Sequence, residues 1–320
     1  MRVAVFGAGG VGGYFGARLA EAGQDVVLIA RGDHLRAIRE NGLLLESIAG
    51  DVAVDPIEAT DDPSEVGTVD AVIVATKTWQ LPEAAEAIPP LVGPATMVVP
   101  VLNGVEAADV LVGGLGREPV VGGLCGMISY VVGPGHVRHA GAEPWVTFGE
   151  LDGGITERVR RLEGTLGRCR GLHVEIAEDI HAALWEKFMF ITATGGVGAV
   201  TRAPMGVFRA VAETRGLLEE AMREVVRVAR ARGVTLPADA VEERMAFIDG
   251  LESHGTSSMQ RDIIEGKRSE LDAWNGAVVR LGREAGVETP VHSAIYASLL
   301  PQELRARGEV RFPEAPNSSA

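Results

Sequence analysis

Cysteine is nearly absent from this sequence. The two in 320 residues, Cys125 and Cys169, have no CxxC spacing, which excludes a disulfide framework and a thiolate metal site and leaves both as small buried hydrophobes. Basic charge is also short: 30 Lys and Arg stand against 44 Asp and Glu, a formal net charge of −14. With a pI near 5.0 and 5% aromatic residues, the chain lacks the basic face that displaces counterions from a phosphate backbone, which argues against nucleic acid as a partner. Long apolar runs are missing too. The run from Phe188 to Thr201 is Gly-rich and falls short of the roughly 20 residues that span a bilayer, so no membrane partner is expected. Val3-Ala4-Val5-Phe6 runs straight into Gly7 and leaves no room for a targeting peptide, so a cytoplasmic location is expected. His136 and His139 lie among glycines with no acid at helical spacing; they read as a solvated hairpin, and no metal is expected.

What the chain does have is enough apolar material, 46%, for two cores, and a length that suits two domains of roughly 100 to 200 residues. Its first half alternates β-branched runs (Val3 to Phe6, Asp25 to Ala30, Asp70 to Thr76, Thr96 to Val101) with helical patterns beginning at Gly10, His34, Leu81 and Val105. That alternation predicts a parallel sheet wrapped by helices. Between Val120 and Phe148 come Gly-punctuated β runs, with turns expected at Gly133-Pro134-Gly135 and Gly141-Ala142-Glu143-Pro144, as antiparallel additions closing the sheet. Beyond Glu178 helical patterns take over. From Glu213 to Arg232, Leu218, Met222, Val225 and Ala229 recur three or four apart, acids lead, arginines trail, and Gly233 supplies a stop. The sequence therefore predicts an α/β Rossmann-type N-terminal domain with a parallel sheet over 1–175, an all-helical C-terminal domain over 176–310, and a frayed tail over 311–320, with the cleft between domains as the natural ligand site.

Gly7-Ala8-Gly9-Gly10-Val11-Gly12 fits G-x-G-x-x-G and has the context that pattern needs, following a strand and opening a helix that leads to a second strand. Gly7 permits the tight turn, Gly9 lets the backbone approach a pyrophosphate, and Gly12 lets helix and strand press together. All six residues are candidate dinucleotide contacts. An NAD-preferring fold carries an acid at the end of the second strand, whereas here the sequence reads Ala30-Arg31-Gly32. The guanidinium of Arg31 suits a 2′-phosphate and favours NADP(H), against the plainer reading of a solvated surface arginine; Asp33 reads as an N-cap. Lys77 and Asn103 follow two further strands, at the edge of an open α/β sheet where ligands bind. In the helical half, Lys187 sits in an apolar stretch, Leu184-Trp185-Glu186-Lys187-Phe188, where burial would lower the pKa of an acid that must give up a proton, although a snorkelling lysine is commoner. The polar clusters Ser257 to Asp262 and Ser269 to Gly276 read, taken alone, as solvated helix faces.

Taken together, the glycine motif, Arg31, Lys77-Thr78-Trp79-Gln80, Asn103-Gly104, Leu184 to Phe188, Ser257-Ser258-Met259 with Asp262, and Glu270 with Asn275-Gly276 resemble the ketopantoate reductase (2-dehydropantoate 2-reductase) family in order and spacing over nearly the whole chain. The resemblance implies an NADPH-dependent reductase that turns a 2-keto acid into a 2-hydroxy acid. It casts Lys187 as the general acid and Glu270 as a catalytic residue near the nicotinamide ribose. Lys77 would contact cofactor, Asn103 both cofactor and substrate, and Ser258 substrate. The leading substrate is 2-dehydropantoate, reduced to pantoate in pantothenate biosynthesis, with a homodimer as a candidate assembly.

The chain departs from the family pattern where asparagines are usual one and two turns beyond the lysine. Ile191 and Gly195 stand there, and Met205 replaces a third asparagine before Gly206, with Thr192, Thr194 and Arg202 nearby. These departures predict a wider, more apolar pocket lined by Ile191 and Gly195, with Arg202 receiving the carboxylate. Two alternatives follow: a paralogous reductase of a less polar 2-keto acid, and a non-catalytic NADP(H)-binding sensor. Retention of Lys187 and Glu270 argues against the sensor.

Overall fold

The structure, a computed structural model, describes residues 1–313; of the tail expected over 311–320, positions 314–320 lie outside the described residues. The chain forms two compact units that divide between Leu184 and Trp185. The first unit runs β1 (Arg2–Phe6), α1 (Gly10–Glu21), β2 (Asp25–Ile29), α2 (Gly32–Asn41), β3 (Leu43–Ser47), β4 (Val52–Val54), β5 (Glu58–Thr60), β6 (Ala71–Val74) and α3 (Leu81–Ala87). It continues with β7 (Met97–Pro100), α4 (Ala107–Leu115), β8 (Gly122–Gly133), β9 (His136–Gly149), α5 (Glu157–Leu166) and β10 (His173–Ile176).

Continuous apolar runs mark strands buried on both faces, and four of them, with β5, build a parallel sheet in the order β5-β2-β1-β6-β7. Alternation along β1 shows how both faces fill. Val3 and Val5 enter a core with Tyr14, Phe15 and Leu28, while Ala4 and Phe6 enter another with Val72, Val74, Leu81, Ile88 and Leu111. Strand order reverses at β1, with β2 on one side and β6 on the other, so the carboxyl ends of these strands open a crevice at a topological switch point.

Beyond one parallel bridge of Val120 to Val98 in β7, the Gly-punctuated segment does not extend this sheet. β8 and β9 pair antiparallel and belong to a second sheet, β10-β9-β3-β4, in which β9 takes β3 along His136 to His139 and β10 along Trp145 to Phe148. Both stretches of the outer edge of β9 are thus occupied by strands the sequence pattern had not revealed. The turn expected at 141–144 is a bulge inside β9: pairing passes from Ile128 with Ala140 to Gly126 with Trp145, so these four residues stand opposite Met127 alone, with Gly141 at φ +80°. His139 is not solvated either: it is 2% exposed and hydrogen bonds the Ser47 hydroxyl and the Ala142 carbonyl. His136 Nε2 lies 2.9 Å from Glu46 Oε1. No group of metal-ligating side chains occurs among the described residues. Both cysteines are buried, and burial pushes the Cys169 thiol up to about 12, where it is inert.

The second unit is helical: α6 (Ile180–Thr201), α7 (Met205–Phe208), α8 (Ala212–Ala231), α9 (Ala240–Asp249), α10 (Ser258–Ile264), α11 (Asn275–Glu284) and α12 (Pro290–Ala306). The division between units falls inside α6. α8 buries Leu218, Met222, Val225 and Ala229 as its spacing requires, and Gly233 follows its end at φ +82°. α6 is different, being buried on nearly every side from Phe188 to Ala199. Three glycines make that possible. A Cβ at Gly195 would stand 2.7 Å from Trp274 Cζ3, one at Gly196 2.6 Å from Asn275 Nδ2, and one at Gly198 2.6 Å from Gln260 Oε1. Buried polar groups lock the helices together. Glu224 of α8 accepts from the N–H groups of Val291 and His292 at the start of α12, and the His292 ring bonds the Ala221 carbonyl and Asn275 Nδ2.

Candidate active site

In the first unit the chemistry gathers at the carboxyl ends of the parallel strands. Gly7 leaves β1 at φ +96°, a left-handed conformation that favours glycine, and a Cβ there would press on Thr76 at the end of β6. A Cβ at Gly12 would lie 1.9 Å from the Gly7 carbonyl oxygen, so only glycine lets α1 close on the turn. A Cβ at Gly9 would meet nothing within 4 Å. Gly9 is also the N-cap of α1, with no side chain capping the helix and no acid in its first turn, so backbone N–H groups remain for an anion. This cradle fits a pyrophosphate. Ala8, Gly10 and Val11 complete the turn, and the Ser129 hydroxyl donates to the Gly10 carbonyl at 2.8 Å.

Two residues that the sequence did not single out shape this region. His34 of α2 hydrogen bonds the Ala8 carbonyl through Nε2 at 2.8 Å and accepts the Gly135 N–H at Nδ1, 3.1 Å away. The pair of bonds fixes the neutral ring with its proton on Nε2, and burial holds its pKa below the ordinary value. The second is Glu83 in the first turn of α3, whose Oε1 lies 2.8 Å from Arg31 Nη1. Arg31 is itself the N-cap of α2. Asp33, expected at that cap, lies two residues on, within the first turn, and pairs with Arg36.

Lys77 follows β6, with its ammonium 5.6 Å from the centre of the Trp79 ring and its N–H bonded to Gln80 Oε1. Asn103 follows β7 and is half-buried. Gly7, Arg31, Lys77 and Asn103 therefore stand at the ends of four strands on one edge of the sheet.

In the second unit Lys187 is half-buried on α6, with Ile191 one turn on and Gly195 two. Ser258 opens α10 behind the N-cap Ser257, whose hydroxyl accepts from Gln260 N at 3.0 Å. Glu270 is buried in the turn before α11. That turn is well anchored: Ser269 donates twice to Glu303, and Arg307 and Tyr296 bond Asp272. Met259, next to Ser258, and Trp274, whose N–H donates to the Glu270 carbonyl, both meet the Gly195 position. The segments that carry Ser258 and Glu270 thus converge on α6.

One expectation fails here. The room at Gly195 is filled by Trp274, which is 2% exposed, so no wide pocket opens at that position. Arg202 follows the end of α6, fifteen residues beyond Lys187, and is exposed at φ +56°.

A glycine turn at the switch point of a parallel sheet, with candidate phosphate, ribose and amide contacts around it, defines the class as a dinucleotide-binding oxidoreductase. The sequence profile described as Ketopantoate reductase PanE/ApbA matches residues 3–153, and that described as its C terminal matches 179–303. The chain belongs to the ketopantoate reductase family. It is 32% identical to a 2-dehydropantoate 2-reductase of Mesorhizobium japonicum, over 93% of this chain and 96% of the relative. It is equally similar, 32% over 93% and 98%, to an uncharacterized oxidoreductase, YkpB, of Bacillus subtilis. The solved PanE/ApbA family ketopantoate reductase from Ralstonia eutropha superposes with a TM-score of 0.87 at 33% identity, covering 96% of this chain and 100% of its own. The chain is thus an oxidoreductase of the ketopantoate reductase family. Among the described residues no helix is long and apolar enough to cross a membrane.

Proposed function

We propose that this protein reduces a 2-keto acid to a 2-hydroxy acid with NADPH, and that 2-dehydropantoate, reduced to pantoate for pantothenate biosynthesis in the cytoplasm, is its leading substrate. The observation that carries the reading is Lys187, held half-buried on α6 one turn before the buried Ile191 in a chain of this family. Gly7 to Gly12 would hold the pyrophosphate, Arg31 and Lys77 the adenosine phosphate end, and Asn103 and Glu270 the nicotinamide end. When bound, the nicotinamide supplies the hydride. Lys187 does the rest of the chemistry: its ammonium Nζ donates to the keto oxygen, stabilises the charge that grows there, and passes its proton to the alkoxide. Ser258 would orient the substrate and Glu270 the lysine. On this reading residues 1–175 serve the cofactor and 176–310 the substrate, and the cofactor binds before the keto acid.

A second reading, reduction of a less polar 2-keto acid, draws support from Ile191 and Trp274, which put hydrocarbon and indole where the family pattern has amides. A site built to bond a substrate hydroxyl discriminates strongly through that bond, and its loss relaxes the choice. Oxidation of NADPH, followed against a panel of 2-keto acids with and without the terminal hydroxyl of ketopantoate, tests both readings. Preference for ketopantoate at a kcat/KM above about 10⁵ M⁻¹s⁻¹ supports the first. Better turnover of the deoxy analogue supports the second, and no turnover of any member refutes both.

A further inference from the structure

Arg31 is not an open anion receptor. Its Nη1 lies 2.8 Å from Glu83 Oε1, and the two side chains are 56% and 58% exposed, so the pair sits at the surface where a nucleotide can reach it. The two residues come from separate connections, β2 to α2 and β6 to α3, on either side of β1. In sheets of this kind that take NADH, a carboxylate at the end of the second strand accepts hydrogen bonds from the adenosine ribose hydroxyls. Here β2 is followed by Ala30 and Arg31, and the nearest acid along the chain, Asp33, is turned to Arg36 at 2.7 Å. Glu83 therefore brings to the end of β2 the carboxylate that β2 lacks.

We propose that Glu83 is a cofactor-specificity residue, which opposes the 2′-phosphate of NADPH beside Arg31 and accepts the ribose hydroxyls of NADH in its place. The proposal rests on the dinucleotide reading of the first unit and narrows its preference: the chain takes both cofactors, with NADPH only modestly ahead. A guanidinium has five N–H donors and can bond a carboxylate and a phosphate together, so Glu83 does not block NADPH. Its cost is the approach of a carboxylate to a group carrying a charge of about −1.5 to −2. At about 5 Å and the dielectric of bulk water, which suits two side chains more than half exposed, removing one such charge is worth about tenfold in affinity. For NADH the same change turns a charged acceptor of ribose hydroxyls into a neutral amide oxygen and weakens binding about threefold.

Titration calorimetry of the full chain with NADPH and with NADH, at one fixed low salt concentration, tests this on the wild type, Glu83→Gln and Glu83→Lys. Both variants place a polar side chain at a half-exposed position, and circular dichroism verifies that they fold. The ratio of NADPH to NADH affinity is expected to rise about 30-fold in Glu83→Gln and further in Glu83→Lys. A rise of less than about threefold in both variants, or a move toward NADH, while both dinucleotides still bind, overturns the role of Glu83 and leaves the dinucleotide reading standing. If the wild type binds neither dinucleotide, the reading itself falls and Glu83 falls with it.

Discussion

Gly195 and Trp274 are expected to behave as one unit. An Ala at 195 would put its methyl 2.7 Å from Cζ3 and 3.0 Å from Cε3 of an indole that is itself 2% exposed, with Met259 Cε at 3.4 Å. Neither the ring nor the helix backbone has room to retreat, so overpacking should cost about 2 to 3 kcal/mol, offset by about 1 kcal/mol of helix propensity. Gly195→Ala should therefore lose about 1 to 2 kcal/mol. Trp274→Leu removes most of a buried ring and should lose about 2 to 4 kcal/mol. In the double variant the methyl enters the space the ring leaves, the clash vanishes and the propensity gain remains, so the two changes should couple by about 2 to 3 kcal/mol in the favourable sense. Urea unfolding of the four proteins, followed by far-ultraviolet circular dichroism, measures this directly. Additivity within about 0.5 kcal/mol would refute the packing argument. The same cycle carries a functional consequence. Gly195→Asn alone should yield little folded protein, whereas Gly195→Asn with Trp274→Leu should fold and shift kcat/KM toward hydroxylated keto acids.

Lys187→Met keeps the apolar stem and removes the ammonium; it should lower kcat at least about 100-fold with dinucleotide affinity unchanged, and near-normal turnover would end the proposed role. Arg31→Ala should weaken NADPH by about 1.5 to 3 kcal/mol and NADH far less, and equal losses would separate Arg31 from the 2′-phosphate. His292 is fully buried, and burial lowers its pKa from 6.5 to about 4. Because the unfolded chain takes up a proton on this ring that the folded one refuses, the stabilisation is complete above about pH 6.5 and is lost as pH falls toward 4, by about 3 kcal/mol in all. The urea midpoint should drop between pH 7.5 and 5, and His292→Gln should flatten that drop; an unchanged slope would refute the assignment.

Apart from β5, which is only Glu58 to Thr60, the strands of the parallel sheet and the glycine turn were legible in the sequence because a strand buried on both faces must be a continuous apolar run, and a tight turn must contain glycine. β3, β4 and β10 were not. They are short, partly exposed, and owe their pairing to β9 or to one another, so nothing in their own residues announces a sheet. α6 gave no amphipathic signal for the opposite reason: with hardly any exposed face there is no period to read. The site residues divide in the same way. Lys187 and Arg31 stood out by type and context, and Glu270 only through the family resemblance, but the bond from His34 to the Ala8 carbonyl, the contact of Glu83 with Arg31 and the indole over Gly195 join residues 26, 52 and 79 positions apart. Such pairings belong to the fold.

The composition of α6 bears on the order in which the second unit assembles. Gly195, Gly196 and Gly198 together cost about 3 kcal/mol of helix propensity relative to alanine, and Thr192, Thr194 and Thr201 turn their hydroxyls back on the carbonyls of Phe188, Phe190 and Val197. Left to itself, such a segment is a poor helix with a sticky apolar surface. It gains its shape from Trp274, Asn275 and Gln260, which come later in the chain. During synthesis α6 therefore emerges well before the residues that make it helical, and its glycine-bearing half must wait, exposed, until α10 and α11 arrive. The segment that carries the proposed proton donor is thus among the last parts of the unit to become native, and a nascent chain halted before residue 275 would be prone to aggregate rather than partly active.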